Sequence, residues 1–135
     1  MKTPLVLIPG LLCDAALWAH QSQTLADIAD VQIGDTMNAD SMAGMAEAVL
    51  AAAPERFALA GLSMGGYVSL EVMRQAPGRV TKLALLDTAA VADDADKRKN
   101  RLELIKLAET GKFKGVTPRL LPLFLHPDRL ADERL

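Results

Sequence analysis

The segment Gly61-Leu62-Ser63-Met64-Gly65-Gly66 follows an apolar run, Phe57 to Ala60, and leads into a helix-like stretch from Tyr67 to Arg74. A chain that passes from a buried strand into a helix through so few residues must turn sharply, and the residues flanking the turn must be very small. Gly61, Gly65 and Gly66 meet that demand. Such a turn strains its central residue and stands the Ser63 hydroxyl clear of the sheet, beside the free N–H groups and positive dipole end of the following helix. The pattern points to a nucleophilic serine. In the plainer reading the glycines make a tight turn and Ser63 caps the helix.

The flanking sequence predicts the frame for this turn. Leu5-Val6-Leu7-Ile8 is a short unbroken apolar run ended by Pro9-Gly10, as in a strand buried on both faces of a parallel sheet. Asp14 to Ala29 predicts a helix with Leu17, Trp18, Leu25 and Ile28 facing inward, and a weaker strand follows at Val31 to Ile33. Ser41 to Ala53, rich in alanine, capped by Asp40 or Ser41 and stopped by Pro54, predicts a second helix. The helix after the serine turn ends near Ala76-Pro77-Gly78, and Val80 to Leu86 predicts another buried strand, finishing at Asp87. This alternation gives an α/β fold, a parallel sheet with right-handed crossovers and helices on both faces. Beyond Asp87 the pattern becomes all-helical. Asp93 to Asn100 is a charged run that reads as a solvated face. Leu102, Ile105 and Ala108 stand at helical spacing, and Leu120 to Leu125 reads as a helix-packing core before His126-Pro127. The expected division is a core over residues 1–91 and a helical segment over residues 92–135.

Composition narrows the partners. Fifteen basic and 17 acidic residues give a formal charge of -2, without the basic footprint of a nucleic-acid binder or a polybasic membrane patch. The expected partner is small or proteinaceous. Cys13 is the one cysteine, so no disulfide forms within the chain, and a reducing, cytoplasmic setting is expected. Pro9-Gly10 interrupts the early apolar run and Leu12 is too bulky for a cleavage site before Cys13, so the N-terminus reads as structure rather than a leader. No apolar run reaches membrane-spanning length. No metal-ligand spacing is present, and the glycine-rich turn lacks the Lys-Ser/Thr of a phosphate loop.

Taken in order, Pro9-Gly10-Leu11, Gly61-Leu62-Ser63-Met64-Gly65-Gly66 and the strand ending at Asp87 resemble an α/β-hydrolase of the serine, carboxylesterase-like kind, over roughly Leu5 to Ala90. The resemblance implies Ser63 as nucleophile and the backbone N–H groups of Leu11 and Met64 as oxyanion donors. Pro9 stands where many members carry the histidine of a His-Gly pair. From about Ala92 the chain resembles the start of the helical cap that many members insert to cover the serine and shape an acyl pocket. The resemblance also implies an acid and then a histidine after the serine, from later strands, so the match is to a member truncated before both. Asp87 stands where some relatives carry the acid, and His126 could reach Ser63 through a rearranged cap or a second subunit. The plainer readings are a turn capped by Asp87 through Thr88 and a loop histidine beside Pro127. His20, in the first helix, reads as structural or solvent-facing. The implied activity is hydrolysis of a carboxylic ester or related small acyl substrate without a cofactor. An aspartate nucleophile, as in dehalogenases and epoxide hydrolases, is excluded by Ser63, whereas lyases and C–C bond hydrolases share this turn. The alternative is a catalytically silent N-terminal fragment or interaction module, needing another chain to bring acid and base. A sheet ending at Val80 to Leu86 has an open apolar edge, which predicts a homo-oligomer or a complementary chain.

Overall fold

The computed structural model describes residues 1–111, 114–115, 121–122 and 124–132, in two units, Met1–Val91 and Ala92–Leu135. The first unit is built on four parallel strands, β1 (Thr3–Ile8), β2 (Ala29–Ile33), β3 (Phe57–Leu62) and β4 (Val80–Leu86), in the order β2-β1-β3-β4. β1 and β3 are central, so side chains on both of their faces are covered. Toward one face Val6, Ile8, Phe57 and Leu59 pack with Ala46 and Val49 of α2 (Met42–Ala52) and with Val68 and Val72 of α3 (Met64–Gln75). Toward the other, Leu7 and Ala60 pack on Trp18, at the end of the 3-10 turn Ala15–Trp18 that enters α1 (Ala19–Thr24). Two-faced burial is why Leu5 to Ile8 reads as an unbroken apolar run. Each large side chain so buried contributes about 1.5–3 kcal/mol.

Local chemistry sets the element ends. The Ser41 hydroxyl caps α2 by accepting the Gly44 N–H at 3.2 Å. At the other end Pro54 forces Ala53 into an extended conformation, and the Arg79 guanidinium donates to the carbonyls of Leu50, Ala53, Pro54 and Glu55. Arg79 also lies over the Phe57 ring, 5.6 Å from its centroid, tying the end of α2 to the start of β3.

Two expectations are corrected. The stretch Asp14 to Ala29 is a 3-10 turn plus a six-residue helix, and of its expected inward positions only Trp18 is buried; Leu17 is exposed and Ile28 is 66% exposed. Three-residue turns do not sustain an inward stripe of 3.6-residue period, and one tryptophan covers the sheet face there. β4 is an exposed strand, not a buried one, from Thr81 through Leu86. Among the described residues it pairs with β3 alone and stands at the sheet edge.

In the second unit α4 (Ala95–Glu109) is capped by Asp94, whose carboxylate accepts the Lys97 N–H at 2.8 Å, and Arg101 pairs with Asp93. The charged run is a solvated face as expected, and Leu102 and Ile105 on the same helix are about half exposed as well. Of the apolar stretch Leu120 to Leu125, Leu120 and Leu123 lie outside the described residues, and Phe124 is exposed. Among the described residues no helix is long and apolar enough to cross a membrane.

Candidate active site

The connection leaving β1 runs to α1 on one face of the sheet, whereas the connection leaving β3 runs straight into α3 on the other. At the carboxyl ends of these neighbouring strands the chain therefore parts, leaving the crevice where open parallel sheets bind ligands. Pro9 to Leu12 follow β1 there and Ser63 follows β3. The described non-glycine residues with positive φ are Leu12 (61°), Ser63 (53°) and Asp87 (42°), which follow β1, β3 and β4 at this same end. Backbone in such sparsely populated regions clusters at functional sites, which makes this end of the sheet the candidate.

Ser63 has φ 53° and ψ -114°, which belongs to neither strand nor helix, and its hydroxyl makes no capping bond to α3. The reading of Ser63 as a simple helix cap fails on that geometry. Its backbone is held on both sides: the N–H donates to the Leu86 carbonyl at 2.9 Å, and the carbonyl accepts the Gly66 N–H at 2.9 Å and the Thr88 hydroxyl at 2.7 Å. The surrounding glycines are required by contact. A Cβ on Gly61 would lie 2.2 Å from the Gly65 carbonyl oxygen, one on Gly65 would lie 2.2 Å from the Ile8 carbonyl oxygen, and one on Gly66 would lie 2.4 Å from Thr88 Oγ1. Ser69, fully buried, ties the first turn of α3 by donating to the Gly65 carbonyl at 2.7 Å.

The loop after β1 lies against the serine, since a Cβ on Gly10 would stand 3.6 Å from Ser63 Cβ. Leu11, next in that loop, is exposed, and Cys13 closes the turn by N–H donation to the Gly10 carbonyl at 3.1 Å. The Cys13 thiol is half-buried and faces the Leu11 carbonyl at 3.5 Å. Met64 is the first residue of α3, so its N–H has no acceptor within the helix. A shallow cleft of about 180 Å³ opens beside the crevice, between the ends of β1 and β2, walled by Pro9, Cys13, Asp14, Asp35 and Met37. Ser63 is not on its wall.

The acid and base candidates lie on three different segments. Asp87 is exposed after β4, and Thr88, read in the sequence as its capping partner, instead donates its hydroxyl to Ser63. His20 is exposed on α1. His126 belongs to the second unit, where its Nδ1 accepts the Asp128 N–H at 3.3 Å at the start of the turn Pro127–Arg129. Glu71 on α3 has its carboxyl held down to about 2, chiefly by the hydrogen-bonded Arg74 and then by Gln75. Among the described residues no three His, Cys, Asp or Glu side chains converge as metal ligands would. Sequence reasoning missed Thr88 and Ser69 as supports of the serine turn; a hydroxyl residue one step past a strand-end aspartate is the faint signal that was available for the first.

No family model matches the chain. It is 27% identical over 137 aligned residues to a pimeloyl-[acyl-carrier protein] methyl ester esterase of Vibrio campbellii, across 96% of this chain and 47% of that protein. A protein of the same name from Pectobacterium carotovorum is 35% identical over 90 residues, across 61% of this chain and 35% of that one. A thermophilic esterase from Thermogutta terrifontis superposes with a TM-score of 0.77 at 24% identity, covering 96% of this chain and 56% of that one. A hydrolase from Pseudomonas aeruginosa does so with a TM-score of 0.65, also at 24% identity and across 96% of this chain and 57% of that one. The chain has part of the α/β-hydrolase fold, with an esterase-like sequence. It spans about half the length of the first of these curated relatives, 47%.

Proposed function

We propose that Ser63 is the nucleophile of a serine esterase acting on a carboxylic ester or a related small acyl compound. The observation that carries this reading is the φ of 53° at Ser63, a strained conformation that a serine in an ordinary helix cap does not adopt. In the reaction, Ser63 Oγ attacks the ester carbonyl carbon while a general base takes its proton. The N–H groups of Leu11 and Met64 hold the oxyanion, each supplying about 2.7–4 kcal/mol if they act like donors measured elsewhere. Collapse expels the alkoxide, which takes the proton from the base and leaves as alcohol; water then attacks the acyl-serine in the same way and releases the acid. No cofactor enters. The one histidine of Met1–Val91, His20, is exposed on α1, so the base is sought outside this unit, at His126 or on another chain, while Asp87 remains the acid candidate within it. Cys13 stays a thiol in a reducing compartment such as the cytoplasm. Because the two curated relatives are named for a methyl ester, methyl esters of carboxylic acids are the first substrates to assay.

Labelling of the purified chain with a fluorophosphonate tests this. Ser63-dependent labelling, lost in Ser63→Ala, is the expected result, and His126→Ala then assigns the base: loss of labelling places it at His126, retention places it in another segment or chain. Absence of labelling in protein folded by circular dichroism overturns the reading.

A second reading, an interaction module without activity of its own, is favoured by β4. Leu83, Leu85 and Leu86 are 38%, 40% and 38% exposed on a strand whose outer edge is unpaired among the described residues, a template for a second copy of the chain. In an antiparallel pairing centred on Ala84, Lys82 faces Leu86 and no like charges meet. Sedimentation at micromolar concentration is expected to give a dimer; a compact monomer discards that association.

A further inference from the structure

Three consecutive residues at the end of β4, Leu86 to Thr88, meet the serine turn together. The Leu86 carbonyl accepts the Ser63 N–H at 2.9 Å, and two residues later the Thr88 hydroxyl donates to the Ser63 carbonyl at 2.7 Å. Between them Asp87 takes φ 42°, and both of its neighbours bond to Ser63. The two torsions of Ser63 are the angles between its preceding and following peptide planes, and each of those planes is gripped by this one segment. Thr88 also fills the space over α3. A Cβ on Gly66 would meet Thr88 Oγ1, Cγ2 and Cβ at 2.4, 2.5 and 2.6 Å, so the threonine sits where it does only because residue 66 is glycine. A side chain that merely closed the turn after β4 would bond within that turn. This one reaches across to the residue with the strained backbone.

We propose that Thr88 is a positioning residue for Ser63, its hydroxyl holding the Ser63 carbonyl so that the residue keeps its positive φ and presents its own hydroxyl to the crevice. The proposal rests on the reading of Ser63 as nucleophile for its functional meaning, and on geometry alone for the grip itself. The variants separate the groups. Thr88→Val keeps the size and removes the donor, Thr88→Ser keeps the donor and removes the methyl, and Thr88→Ala lacks both and serves where the valine variant does not fold.

Two measurements on the full chain decide it. The first is the rate of fluorophosphonate labelling. It is expected to fall about tenfold in the valine and alanine variants, the upper end of what one net hydrogen bond supplies, with the midpoint of its pH profile unmoved and with recovery in Thr88→Ser. The second is amide hydrogen exchange followed by NMR, which needs no chemistry at the serine. Exchange at the Ser63 and Gly66 N–H groups is expected to quicken by about the same factor in the valine and alanine variants, with Leu59 in the core of β3 unchanged. A purely structural role would quicken Leu59 as well, and that result overturns the proposal. So does exchange at Ser63 that matches the wild type in Thr88→Val, or a serine variant that fails as the valine variant does. A wild-type chain that is never labelled, with the local exchange pattern as expected, leaves the grip established and removes the nucleophile reading instead.

Discussion

Gly65→Ala gives the sharpest test of how the serine turn is built, because two physical effects predict opposite signs. Gly65 is the second residue of α3, where replacing glycine by alanine ordinarily stabilises a helix by about 1 kcal/mol. The structure reverses that. The added methyl would stand 2.2 Å from the Ile8 carbonyl oxygen, 2.8 Å from the Ile8 carbonyl carbon and 2.7 Å from the Pro9 carbonyl oxygen. The first contact is more than about 1 Å inside a comfortable separation of roughly 3.5 Å. All three atoms are backbone at the end of β1, which is paired on both sides, so none can rotate away. Relief requires α3 to lift from the sheet, opening the contacts of Val68 and Val72, both fully buried. Overpacking of this kind costs about 1–3 kcal/mol, and the lifted contacts add to it, so the expected net effect is a loss of about 2 kcal/mol after the helix gain. For a unit of this size that lowers the melting temperature by roughly 8–16 °C. Gly78→Ala is the matched control, since a Cβ there meets nothing within 4 Å, and it is expected to stay within about 0.5 kcal/mol of wild type. Urea unfolding monitored by circular dichroism, with the slope checked for constancy, measures both. A Gly65→Ala protein as stable as wild type would mean that the first turn of α3 does not lie against β1 as described.

Two further outcomes are expected. The Glu71 carboxyl is held at about 2 against an ordinary 4.5, chiefly by Arg74, so its folded value lies below its unfolded one. The stabilisation is present above pH 4.5 and fades as the pH falls toward about 2; the gap in melting temperature between wild type and Glu71→Gln should close over that window, and a gap independent of pH refutes the assignment. Asp87→Asn should leave both stability and labelling unchanged, because asparagine accepts positive φ, whereas the β-branched Asp87→Val should cost about 1–2 kcal/mol. Loss of labelling in a folded Asp87→Asn protein would instead make Asp87 the catalytic acid.

What the sequence discloses here follows from how local each constraint is. The serine turn is legible because its demand for space is written in the glycines themselves: a Cβ at 61, 65 or 66 would run into neighbouring atoms. Leu5 to Ile8 is legible because a central strand is covered on both faces and must be apolar throughout. Val80 to Leu86 is largely apolar too, apart from Thr81 and Lys82, yet stands exposed at the edge, because composition records what a strand is suited to lie beneath and not what lies above it. The stretch Asp14 to Ala29 misleads for a different reason. Its apolar residues imitate a helical stripe, while a single tryptophan after a 3-10 turn does the covering. Thr88 is the least legible of all. Its role depends on the register that sets Leu62 beside Leu86, a relation between residues far apart in the chain that no local pattern encodes.

The strain at Ser63 costs about 1–3 kcal/mol, and a conformation of that cost persists only where its surroundings leave no alternative. Here the surroundings come from three places. β1 closes one side through the contact of Gly65 with Ile8, α3 closes another through Ser69 and Gly66, and the end of β4 holds the peptide groups through Leu86 and Thr88. Each hydrogen bond contributes about 0.5–1.5 kcal/mol net, so no single one outweighs the strain at its upper value, and losing one should loosen the turn rather than abolish it. The three supports are not equally secure. The inner part of β1 and the face of α3 that meets the sheet are buried, whereas β4, among the described residues, is bonded along one edge only and is exposed from Thr81 through Leu86. The geometry of the nucleophile candidate therefore depends in part on the most exposed strand of the sheet, through the bonds that Leu86 and Thr88 make to Ser63.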